Sequence, residues 1–318
     1  MYNFSDYKLL KNPVRSIASR YWSEVIRQRL GATCANQILA AHLDDHSKST
    51  PGWSENSSRF WNHMLSGKPA GIESKVEQSE KIAPGTKNIL LHPLWQLINS
   101  KSPDEEHLLD VLAALPYELH SRLITRDLNG QRSFKKKIHP KTKRNLFEMT
   151  SIDSLTIWLV LVKREQLAGT SEIPCPSEVH VIRVFFRLVV LNEFSVITTD
   201  LYHLISEFFG KDSAHSATET YNQLPIEVLP VNLCSPEQIA TMLQRTLAAL
   251  AGANFIEDSP EGKERFLRSI NHSNSHNLLQ DLVLLANGTL DRGSIGRDAL
   301  EAMDRYEQET AFLVKRKV

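Results

Sequence analysis

The run SSRFWNHMLSGK, residues 57–68, gathers side chains suited to recognition chemistry. Ser58, Arg59, Asn62 and His63 can each hydrogen-bond a base edge or a phosphate oxygen. Arginine matches the paired acceptors of guanine, and asparagine matches the donor and acceptor of adenine. Phe60, Trp61, Met64 and Leu65 recur at i, i+1, i+4 and i+5, so a helix here holds them on one side and turns the polar set to the other. Gly67 stands where a helix C-terminus takes a left-handed residue, and Pro69 prevents continuation. A short core helix with a solvated outer face has the same pattern, and the residues alone leave both alternatives open.

A second segment, RSFKKKIHPKTKR (132–144), carries seven Lys or Arg in thirteen residues. Lys135, Lys136, Lys137, Lys141, Lys143 and Arg144 form an electrostatic footprint for a phosphate backbone. A solvated basic loop, neutralised by acidic residues elsewhere, is the competing account. HLDDH (42–46) and HSNSH (272–276) space two histidines at i, i+4. The first lacks the glutamate that follows the first histidine in zinc proteases, and the second has no nearby carboxylate. His92 and His139 each precede a proline and read as helix-end or turn residues. The chain has no phosphate-cradling glycine loop, no nucleophile elbow and no signature cysteine. No catalytic constellation, metal site or cofactor is therefore expected, and the chain reads as a non-enzyme.

The elements that must position these residues are helical. With 41% apolar residues, the 318-residue chain can build real cores. Helices are expected over Val14–Leu30, Cys34–Leu43 with Thr33 as cap, 57–66 and Ile72–Ile82. Another is expected from Thr86, with Pro93 kinking it or starting a new segment, and one starts at Ser102 or Asp104. Residues 132–144 are expected as a loop and 151–169 as a buried helix ended by Gly169; SEVHVIRVFFRLVVLNEF and ITTDLYHLISEFFG are expected as two more helices, the former β-branched enough to allow a strand at 179–191. Two Ser-Pro-Glu starts, at 235 and 259, and a last helix over Arg297–Leu313 complete an all-α chain. A domain boundary is expected near 100–103, dividing residues 1–102 from 103–318.

Lys plus Arg and Asp plus Glu number 37 each, yet residues 1–150 hold 22 against 15 and residues 151–318 hold 15 against 22. A balance of +7 in front and −7 behind suggests different partners for the two halves, or one docking on the other. Cys34, Cys175 and Cys234 are far apart and odd in number, which fits a reducing compartment. The N-terminus has no apolar signal region, and VIRVFFRLVVL (181–191) is too short to span a bilayer, so a cytoplasmic protein without a membrane segment is expected.

ANQILAAHL as a positioning helix, SSRFWNHMLSGK as a recognition-type helix and the amphipathic stretch after it resemble the helix-turn-helix domain of phage repressors and Cro-like regulators. The resemblance covers about a quarter of the chain. It implies double-stranded DNA as partner, with Ser57, Ser58, Arg59, Asn62 and His63 facing the major groove and Lys68 on a phosphate. One departure is clear: family members join the two helices by a turn of a few residues, whereas here about thirteen intervene, Trp53 among them. The expectation is a DNA-binding helix-turn-helix-like cluster followed by a larger helical bundle that homodimerises or binds a protein through its acidic surface. The alternative is a non-enzymatic adaptor, which requires an exposed apolar patch such as Phe185, Phe186, Phe208 and Phe209.

Overall fold

The computed structural model describes residues 2–45, 58–100, 102–169, 176–189, 192–209, 236–270 and 297–316. These are mostly helical, with only two short strands, so the chain is all-α as its periodicity predicts. Helix α1 (Phe4–Leu9) precedes the expected first helix. Its start is a capping box, in which Asn3 Oδ1 accepts from the Ser5 and Asp6 amides and the Asp6 carboxylate accepts from Asn3 N. Helix α2 (Asn12–Arg29) is the axis of the amino-terminal part. Its buried Val14, Ile17, Ala18, Tyr21, Trp22, Val25 and Ile26 form a continuous apolar stripe. Around it stand α3 (Ala35–Asp45), α4 (Ser58–Leu65), α5 (Glu73–Ile82), α6 (Thr86–Leu90) and α7 (Pro93–Asn99).

The expected helix from Thr86 is two helices. Pro93 starts α7 rather than kinking its predecessor, and His92 caps the new helix by accepting from Leu94 N at 3.1 Å. Thr86 is not the cap of α6. Gly85 occupies the N-cap with φ +84°, and the Glu80 carboxylate accepts from Gly85 N and Lys87 N, both at 2.6 Å. A side chain from the preceding helix thus satisfies donors that local sequence assigned to threonine.

Beyond residue 102 come α8 (Glu105–Ala113), capped by Asp104, α9 (Tyr117–His120), and an antiparallel pair, β1 (Ile124–Arg126) and β2 (Arg132–Phe134). The expected basic loop at 132–144 is a correction: it begins as β2 and ends in α10 (Pro140–Glu148). The hairpin closes because Asp127 Oδ1 accepts from Asn129 N at 2.9 Å and Gln131 N at 2.8 Å, while Gly130 takes φ +80°. Phe134 pairs with Ile124 across the ladder, and both are buried. His139 starts α10 by accepting from Lys141 N, with Pro140 next.

Helix α11 (Ile152–Leu167) is buried continuously from Ser154 to Val162 and ends before Gly169 at φ +68°. Two of its buried hydroxyls are met internally, as Ser154 Oγ donates to Leu146 O and Thr156 Oγ1 to Ile152 O. Helix α12 (Pro176–Val189) packs along it and settles the helix-or-strand choice for its part of 179–191 in favour of helix. Then follow α13 (Asn192–Ser195), α14 (Thr198–Phe209), α15 (Pro236–Gly252), α16 (Pro260–Ile270) and α17 (Arg297–Arg316). Ser259 caps α16, its Oγ accepting from Gly262 N at 3.0 Å.

Packing crosses residue 102. Tyr21 of α2 meets Trp95 at 6.3 Å and Phe194 of α13 at 4.4 Å between ring centroids. Arg20 pairs with Asp200 of α14 at 2.5 Å and also donates to Val196 O. Helices α7 and α11 pack together, joined by His92 and Asp153.

Candidate nucleic-acid interface

Helix α4 is held from within. Trp61 is fully buried, its ring centroid 5.5 Å from that of the equally buried Trp22 of α2. Met64 is buried beside it, and Phe60 lies half-buried with the Lys75 ammonium 4.7 Å from its ring centroid. Burial lowers the Lys75 pKa from its ordinary value. Sequence patterning did not single out Lys75, because only the packing of α5 against the α3–α4 pair brings its cation to this helix.

The C-terminus of α4 is fixed as firmly. Gly67 has φ +88°, its amide donates to Met64 O at 2.9 Å, and Lys68 N donates to His63 O at 2.8 Å. These two bonds make a Schellman closure. A Cβ on Gly67 would lie 2.7 Å from Arg20 Cδ and 2.8 Å from Ser16 Oγ, so glycine answers both a backbone and a space requirement. Ser16 Oγ donates to Gly67 O. Next along the chain, Ala70 N donates to Tyr7 Oη and Ser19 Oγ, each at 2.9 Å, and the two hydroxyls are 2.7 Å apart. Burial raises the Tyr7 pKa, and its bonds to Ser19 and Ala70 oppose that shift only in part.

On the outer side Arg59, Asn62 and His63 are exposed together, spaced i, i+3, i+4, with Ser58 half-exposed at the helix start. Lys68 is exposed, and its ammonium lies 3.4 Å from His63 Nε2. Ser57 lies outside the described residues.

The basic segment does not act as one patch. Lys135 turns inward, donating from Nζ to Ser121 O at 2.8 Å, while its own carbonyl accepts from Arg164 Nη2 at 3.0 Å. Lys136, Lys137 and Lys143 line a cleft of about 710 Å³ with Arg164 of α11. Lys141 and Arg144 are exposed on α10. Arg164 is a member of this basic group that sequence reading missed. Its only local signal is the polar end, KREQ, of an otherwise buried helix.

Both His-Pro histidines serve as helix caps. HSNSH and Ser235 lie outside the described residues, as do Cys175, Cys234 and the side chains of HLDDH. Of the apolar patch that an adaptor would need, Phe185, Phe208 and Phe209 are buried in the core, and the side chain of Phe186 lies outside those described. Among the described residues no helix is long and apolar enough to cross a membrane. No protein-family model matches this chain, and neither does any curated protein or solved structure.

Proposed function

We infer that the chain binds double-stranded DNA through α4, as a helix-turn-helix-like regulator acting in the cytoplasm. The observation that carries this reading is the division of α4: Trp61 and Met64 anchor it, while Arg59, Asn62 and His63 stand exposed together with Lys68 beside them. Arginine and asparagine meet base edges, and lysine meets phosphate. Rigid anchoring supports the role, because a reader helix must hold its side chains in register with the groove. The exposed Lys141 and Arg144 of α10 add phosphate contacts. The helices after residue 102, within the acidic part of the sequence, supply the surface for a homodimer or protein partner.

The test is fluorescence anisotropy of the full chain with random duplex DNA, single strands and structured RNA at two salt concentrations. Duplex binding that weakens with salt and is lost in the Arg59→Ala/Asn62→Ala variant is the expected result. Equal duplex binding by the variant, or no duplex binding by the parent, overturns the assignment.

A further inference from the structure

We propose that the cleft between the 136–143 segment and α11 binds a small phosphorylated molecule of the nucleotide class, apart from the duplex-binding face on α4. The cleft has a volume of about 710 Å³, inside the range of about 300–1,000 Å³ typical of small-molecule sites. Lys136, Lys137, Lys143 and Arg164 line it, and Glu165 is the one carboxylate among its described lining residues. That carboxylate is already committed: Oε1 accepts from Ser177 Oγ at 2.6 Å and Oε2 from Ser177 N at 3.2 Å. It ties α11 to the start of α12, and the lining sets four cations against this one carboxylate, an excess that suits an anion.

Arg164 is pre-set rather than loose. Its guanidinium stacks 4.7 Å from the ring centroid of buried Phe134 and donates to Lys135 O, so little side-chain entropy remains to be lost on binding. Ile138 and the buried Leu161 add apolar lining. Cations beside an apolar surface match a ligand with phosphates at one end and a base at the other. The convex, uniformly charged backbone of a duplex matches a recessed cleft poorly, which favours the small molecule.

Isothermal titration of the full chain with ATP, pyrophosphate and adenosine tests this. ATP should bind saturably and more tightly than either fragment, since only ATP uses both kinds of surface. Lys136→Ala/Lys143→Ala should weaken ATP about tenfold or more while thermal unfolding is unchanged, because both side chains are exposed. The Arg59→Ala/Asn62→Ala variant should bind ATP like the parent, so a failure of the duplex assignment is read separately. Absence of ATP binding, or equal binding by the lysine variant, overturns the proposal. So does an oligothymidylate that displaces ATP, binds far more tightly than ATP and is weakened by Lys136→Ala/Lys143→Ala, since the cleft would then serve a nucleic-acid strand.

Discussion

Nε2 of His92 lies 2.9 Å from Oδ1 of Asp153, sixty-one positions along the chain. Nδ1 of the same ring accepts from Leu94 N, so the ring proton is on Nε2 and is donated to the carboxylate. One buried imidazole therefore caps α7 and fastens it to α11. His92→Ala should cost about 1–3 kcal/mol, combining a lost cap with a stranded partner. Asp153→Asn keeps an acceptor oxygen and should cost clearly less. Denaturant unfolding of both variants checks the order; equal losses would place the energy elsewhere.

At Gly67, alanine meets a left-handed backbone and the side chains of Ser16 and Arg20. Gly67→Ala should destabilise the protein by about 1–3 kcal/mol, visible as a lower Tm in calorimetry. Gly31 is also left-handed, but nothing lies near its Cβ position, so Gly31→Ala should cost less.

The tryptophan pair anchors α4, and Trp61→Ala should remove about 3–5 kcal/mol. Duplex binding should fall with it even though Trp61 touches no ligand, because the exposed residues lose their support. Circular dichroism beside anisotropy separates the two effects.

Neighbouring lysines should behave differently. Lys135→Ala removes a donor to Ser121 O and should cost roughly 0.5–1.5 kcal/mol of stability. Lys136→Ala should leave stability within about 0.5 kcal/mol, as for an exposed side chain. Lys68→Ala should reduce the salt dependence of duplex binding by about one unit of slope. Chemical denaturation and a salt titration read these outcomes.

Alkaline pH should unfold the protein. Burial raises the Tyr7 pKa, and burial reinforced by Glu193 raises that of Tyr21; burial together with Asp110 and Asp6 pushes Tyr2 up to about 12. The unfolded chain ionises its tyrosines near pH 10, before the folded one does. This stabilisation is full below that pH and is lost as pH rises through the folded values. Tyrosinate absorbance should lag behind that of free tyrosine and then rise together with the loss of helical signal.

Much of the local structure was legible from residue order. The helix over Val14–Leu30, the stop at Gly67 and the Ser-Pro start of α16 all follow from 3.6-residue periodicity and capping chemistry. The two-faced character of α4 was legible for the same reason, since its apolar and polar residues are neighbours in sequence. Tertiary structure decided what depends on residues far apart. Only packing turns Lys135 inward, brings Arg164 to the cleft, lets Glu80 replace Thr86 as a cap and joins His92 to Asp153. Periodicity fixes a side chain's angle on its own helix, whereas its partner is set by where another helix comes to lie, and no local rule carries that information.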